Sequence, residues 1–104
     1  MKVIVSPIAR GELAEIWAWN VEDKGIRRAD SYIDFLDKSI SALGKNYQRG
    51  KKIGVRPDLR YIQIRRRTGG FAHLAVYSVD EEAVNVLHIF HGAQDWENKL
   101  AEEQ

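Results

Sequence analysis

The sequence predicts an α+β fold, in which a helical hairpin packs on one face of a small, mainly antiparallel sheet. The predicted order is β-α-α-β-β-β with a short C-terminal helix. Three observations carry this. Two apolar stripes at helical spacing lie between Pro7 and Leu43, separated by one glycine, Gly25. Three segments rich in β-formers follow between Leu59 and Phe90. A short β-branched run, Val3-Ile4-Val5, precedes them all. With 104 residues, 44% of them hydrophobic, the chain suits one domain over residues 1–104 with a modest core.

Val3-Ile4-Val5 reads as a strand, and Ser6-Pro7 as a helix start. Serine offers a side-chain oxygen to orphan N–H groups, and proline at the first helical position loses no hydrogen bond. The first helix is expected to reach about Asp23, with Ala9, Leu13, Ile16 and Asn20 on one face. Ile8, Trp17 and Trp19 flank that face and make the apolar surface wider than one core contact needs. Gly25 ends this helix through its access to left-handed backbone. A second helix from Ile26 or Arg27 to about Leu43 carries Ala29, Ile33, Leu36, Ile40 and Leu43 as a stripe. Tyr32 lies at its edge and Phe35 well off it. So short a connection makes the two helices nearly antiparallel.

Residues 45–58 read as a long charged loop. Leu59 to Arg66, Phe71 to Val79 and Ala83 to Phe90 then read as an antiparallel meander. Thr68-Gly69-Gly70 and Asp80-Glu81-Glu82 supply its turns. The last strand is apolar on both faces, which places it inside the sheet. Asp95 to Glu103 reads as a terminal helix capped by Asp95. The sheet face away from the hairpin is expected to be open to solvent or to a partner.

Composition removes several function classes. Without cysteine there is no disulfide framework and no thiolate metal site. No apolar run is long enough for a membrane span or a secretory signal, so the expected location is cytoplasmic, without membrane contact. The formal net charge of +1 hides a strong asymmetry. Between Gly44 and Arg67 nine basic residues face one acid, Asp58, whereas seven acids face one lysine after Thr68. A concentrated positive field draws anionic partners, such as nucleic acid, a nucleic-acid enzyme or an acidic protein segment. Solvated loop charge is the plainer alternative.

Few residues suggest chemistry by themselves. His88 and His91 stand an odd number of residues apart on a strand and so point to opposite faces, and His73 lacks a nearby carboxylate in sequence. No metal site and no cofactor is expected. His91 reads as a strand-end histidine holding the Gly92 turn. The pairs Glu12/Glu15 and Asp34/Asp37 read as solvated helix faces. Arg60 reads either as the partner of a helix carboxylate or as a substrate contact. Arg65, Arg66 and Arg67 alternate in direction, so at least one is exposed.

Four stretches carry a family resemblance. Ser6-Pro7-x-Ala9-Arg10-x-Glu12-Leu13-x-x-Ile16-Trp17 resembles the opening of the ParE toxins in the ParE/RelE superfamily, the toxin halves of type II toxin–antitoxin modules. Gly25 to Leu36, Arg56-Pro57-Asp58-Leu59-Arg60, and Val84-x-Val86-Leu87-x-Ile89-x-His91-Gly92-x-x-Asp95 match that family's second helix, first meander strand and last strand. The chain departs from it at Val76-Tyr77, where an aromatic pair is common, and at Ala93-Gln94, where basic residues follow the final His-Gly.

The resemblance implies a plasmid-stabilisation type toxin that inhibits DNA gyrase by binding and is neutralised by a cognate, ParD-like antitoxin. Target contacts are then expected at Arg60, Arg65, Arg66 and Arg67, with possible nucleic-acid contact through the basic 45–67 segment. Antitoxin contacts are expected at Trp17, Trp19 and Phe35, since exposed aromatics serve as interface anchors. The alternative is a RelE-like, ribosome-dependent mRNA endonuclease. It needs phosphate neutralisation, for which Arg60, Arg65 and Arg66 are the candidates, and proton transfer, for which His88 or His91 is; Arg60, Arg66 and His91 are the leading set. No tyrosine follows Tyr77, so that branch's C-terminal catalytic tyrosine has no counterpart. A third alternative is an inactive member that binds only antitoxin or RNA.

Overall fold

Secondary structure follows the apolar spacing closely in the first half of the chain and less closely in the charged middle. The structure, a computed structural model, describes residues 1–67 and 70–103. The Thr68-Gly69 part of the expected turn lies outside those residues. Strand β1 (Lys2–Val5) leads into helix α1 (Pro7–Lys24). Ser6 caps α1, its Oγ accepting the Ala9 N–H at 3.0 Å, with Pro7 in the first turn. Gly25 stops the helix at φ 91°, a left-handed value that disfavours any side chain. Helix α2 (Ile26–Ser41) starts at the next residue.

The charged middle is more structured than a loop. A short helix α3 (Leu43–Asn46) and a 3-10 turn (Tyr47–Arg49) lead to strand β2 (Lys51–Ile53), and β3 (Arg56–Arg65) begins three residues before Leu59. Two adjacent exposed lysines conceal β2, because its only buried side chain is Ile53. Pro57, which has no N–H to donate, stands ahead of the part of β3 that pairs with β4. Strands β4 (Ala72–Val79) and β5 (Ala83–His91) complete the meander, and α4 (Trp96–Glu102) closes the fold.

The sheet order is β1-β5-β4-β3-β2, antiparallel except for the parallel β1–β5 pair. Strand β5 is therefore internal, as its two apolar faces require. Its register against β4 shifts between Val76 and Tyr77, where Val76 pairs with His88 and Tyr77 with Val86. Leu87 is thus an extra residue that changes which alternate side chains face which layer. Val84, Val86 and Ile89 pack with the hairpin residues Ala9, Leu36 and Ile40, while Phe90 packs on the opposite face.

That opposite face is not left open. Leu100 of α4 is fully buried there against Ile53, Leu59, Val76 and Phe90, and Trp96 lies 4.9 Å from the Tyr61 ring. The expectation of a free second face is corrected: burying five apolar side chains outweighs leaving the terminal segment in solvent. Asp95 also departs from its expected capping role. No side-chain cap bond forms, and its Oδ2 accepts from the Asn98 side chain at 2.8 Å.

One glycine shows how tightly the middle segment is held. Gly50 has an ordinary φ of −66°, so its requirement is steric. A Cβ there would lie 2.0 Å from the Tyr77 hydroxyl and 2.7 Å from Cζ of that buried ring. The same hydroxyl donates to the Tyr47 carbonyl at 2.7 Å. Gly50→Ala is expected to destabilise the fold by about 1–3 kcal/mol, the usual range for overpacking. In a Tyr77→Phe background, denaturant unfolding should show a smaller loss because the nearest atom is gone. An unchanged loss in that background would rule out the hydroxyl as the cause.

Candidate functional site

A groove of about 820 Å³ lies between the helical hairpin and the ends of β4 and β5. Its chemistry comes from three elements. Tyr32 projects from α2, His73 from β4 and His91 from β5, and His73 and His91 are direct cross-strand partners. The Tyr32 hydroxyl and His73 Nδ1 are hydrogen-bonded at 2.5 Å. The two imidazoles meet edge-on with centroids 5.3 Å apart.

Burial sets the charge of this cluster. Desolvation, with the neighbouring His91 as the second cause, brings His73 down to about 4, so it is neutral at pH 7. Desolvation also raises Tyr32, partly opposed by the Arg66 cation. His91 Nδ1 accepts the Ala93 N–H at 3.0 Å, and its own N–H donates to Gln94 Oε1 at 2.9 Å. It therefore holds the Gly92 turn, as its strand-end position predicts.

The arginines separate into two places. Arg66 donates to Ser31 Oγ at 2.7 Å and lies over the Phe35 ring, 5.7 Å from its centroid. Arg66 and Arg67 line the large groove, and Arg65 donates to the Gly70 carbonyl. All three arginines are exposed. Arg60 stands in the middle of β3, six residues and about 20 Å from Arg66 at strand rise. It donates to the Gly50 carbonyl at 2.9 Å, not to a helix carboxylate. The suggested nuclease set of Arg60, Arg66 and His91 therefore does not converge, although Arg66 and His91 do share a groove.

The aromatic set divides as well. Trp17 donates its indole N–H to Asp30 Oδ1 at 2.8 Å and ties α1 to α2. Trp19, 56% exposed, lines the large groove. Phe35 lines a second groove of about 520 Å³, between α2 and β3.

Sequence reasoning missed the contacts of Tyr32, His73 and Glu12, and it offered His88 only as an alternative to His91 for proton transfer. For His73, the signal available was its opposition to His91 across adjacent strands. Glu12 is no solvated carboxylate: Oε1 accepts the Ile89 N–H at 2.8 Å and Oε2 lies 3.2 Å from His88 Nδ1. The other His88 nitrogen lies 2.9 Å from a Glu103 oxygen. His88 stacks on Phe90, away from His73 and His91, in line with the odd spacing. Among the described residues no group of three or more His, Asp or Glu could hold a metal ion. Nor is any described helix long and apolar enough to cross a membrane.

Residues 3–96 match the family model described as the ParE toxin of the type II toxin-antitoxin system, parDE. The chain belongs to the ParE toxin family. Its fold is similar to that of a solved chain of the chromosomal ParDE TA system from P. aeruginosa, with TM-score 0.75 at 17% identity, covering 88% of this chain and 95% of that one. No curated protein sequence matches significantly. A ParE-family fold accounts for the hairpin, the five strands and the order in which they occur.

Proposed function

We propose that this ParE-family chain is the toxin of a type II module, acts on DNA gyrase by binding, and is neutralised by a cognate ParD-like antitoxin. The match of residues 3–96 to the ParE toxin model carries this reading. The separation of Arg60 from Arg66 and His91 supports binding over RNA cleavage, since that reaction needs its charge-neutralising and proton-transferring groups around one phosphate. Arg65, Arg66 and Arg67 form one exposed cationic end of the sheet suited to a gyrase–DNA complex. Lys45, Arg49, Lys51 and Lys52 form a second exposed basic stretch suited to nucleic-acid backbone. A gyrase target places the site of action in the bacterial cytoplasm.

A nuclease reading draws on one observation, the placing of Tyr32, His73, His91 and Arg66 at one groove. Pulse labelling after induced expression in a bacterial host separates the two. Early loss of DNA synthesis with translation intact is the expected result. Early loss of translation would overturn it in favour of the nuclease, and loss of neither would leave an inactive member that only binds.

A further inference from the structure

His88 lies between two carboxylates that come from opposite ends of the chain. Its Nδ1 is 3.2 Å from Glu12 Oε2 on α1. Its Nε2 is 2.9 Å and 3.1 Å from the two Glu103 oxygens, just past α4. The ring is buried, stacks on Phe90 with centroids 4.5 Å apart, and belongs to the residue paired with Val76 across the sheet. Each carboxylate contact needs an N–H. An imidazolium has two, whereas a neutral imidazole has one and presents a lone pair at its other nitrogen. When the ring loses its proton, one carboxylate therefore loses its donor and faces that lone pair.

The surroundings decide which carboxylate that is. Glu12 has a second hold, the Ile89 N–H on its Oε1 at 2.8 Å, and its side chain is only 23% exposed. Among the described residues the Glu103 carboxylate has no hydrogen-bond donor besides His88, and it is 45% exposed. Arg56 of β3 acts on Glu103 only through space, since its guanidinium is committed to Asp58 at 3.0 Å and 3.1 Å. Water takes over an exposed carboxylate more cheaply than a half-buried one. The single N–H of the neutral ring thus stays on Nδ1 with Glu12, and Glu103 lets go. Behind Glu103 is the last turn of α4, where its N–H donates to the Leu100 carbonyl at 3.2 Å.

We infer that Glu12, His88 and Glu103 form a proton-operated clasp, in which the imidazolium fastens the last turn of α4 over the second face of the sheet and the neutral ring releases it. Leu100 and Trp96 hold the rest of α4 to Ile53, Leu59, Phe90 and Tyr61 in either state, so the release is a local opening of the helix end. The charged groups that face the clasp are Glu12 from α1, Glu103, Arg56 from β3, and Lys99 of α4, which lines the same groove as Glu12. From β4 comes only the apolar Val76. Of these residue types and histidine, only histidine ordinarily changes charge between about pH 5 and 8.

Amide exchange of the full chain at about pH 5 and pH 8, corrected for the intrinsic effect of pH, tests the clasp at residues 100–103. Protection there should be at least about fivefold greater at the acid end, the worth of one charge-assisted hydrogen bond on a part-exposed group. His73, brought to about 4 by burial, stays neutral over most of this range and does not supply the difference. Glu103→Gln carries a side chain that can accept from the imidazolium and donate to the neutral ring, so its protection should be the same at both ends. Nitrogen NMR of the His88 ring should find both nitrogens protonated at the acid end and Nδ1 alone at the other. Equal protection of the parent at both ends would overturn the clasp. So would a difference that persists undiminished in Glu103→Gln, or a neutral ring protonated at Nε2, which would leave Glu103 fastened. The experiment involves neither gyrase nor antitoxin, so its failure is distinguishable from a failure of the toxin reading.

Discussion

Glu12→Ala is expected to lower stability by about 2–4 kcal/mol, more than any other single exposed or half-exposed carboxylate. The cause lies in the length of β1. That strand pairs with β5 only from Lys2↔Ala83 to Val5↔Val86, so β5 outruns its partner. The first residues of α1 take over the missing edge. Ser6 N–H donates to the Val86 carbonyl at 2.9 Å, Ser6 Oγ to the Leu87 carbonyl at 3.0 Å, and Glu12 accepts from Ile89 N–H. Alanine at position 12 leaves that part-buried N–H without its acceptor and removes one of the two carboxylates on His88. Glu12→Gln keeps a carbonyl oxygen for Ile89 and should cost only about 1 kcal/mol. In a domain of this size the alanine variant should melt roughly 10–20 °C lower, with an unchanged denaturant slope. A midpoint within experimental error of the parent would mean that water replaces Glu12 at the β5 edge.

The same carboxylate shows what was legible in the sequence. The helix-start and helix-stop roles of Ser6, Pro7 and Gly25 involve neighbours within four residues and could be read directly, whereas the bonds from Ser6 to β5 could not. The two helical stripes were legible because one sheet buries them: Ala9, Ala29 and Leu36 have no exposed surface. Glu12 meets an amide 77 residues away and Tyr32 meets an imidazole 41 residues away. No local spacing encodes such pairs, so a carboxylate on a polar helix face reads as solvated. Strand β2 stayed hidden for a related reason. Its pattern is two exposed lysines and one isoleucine, and its identity as a strand comes only from β3 beside it. Leu100 and Trp96 were visible as an apolar pair, but nothing local says that they close the second face of the sheet. The two groove sets, Trp19 with Arg66 and Phe35 with Arg65, likewise depend on which ends of α1, α2 and β3 come together.

Acid should weaken the fold in a window that His73 sets. Its imidazole faces Tyr32 from α2 and His91 from β5, with Arg66 beyond Tyr32, and none of these supplies a negative charge at neutral pH. Folding takes His73 from its ordinary 6.5 to about 4. Between those values the unfolded chain binds a proton at this site that the folded chain does not. Stability therefore rises with pH across the window and falls as pH drops from 6.5 toward 4. The full loss is bounded at about 3.5 kcal/mol by the size of the shift, since 1 pKa unit corresponds to about 1.4 kcal/mol. Asp58 and Asp80 are lowered below 3.8, chiefly by their hydrogen bonds to Arg56 and to the Glu82 N–H. Their contribution is lost only as pH falls below that value, beneath the His73 window. The double variant His73→Phe, Tyr32→Phe removes the titrating ring together with the hydroxyl that would otherwise lose its partner. Its stability should be flatter between pH 6.5 and 4 than that of the parent, whatever the change at pH 7. Parallel profiles would show that a proton reaches His73 without cost in the folded state, and that the groove is wet enough to solvate the imidazolium.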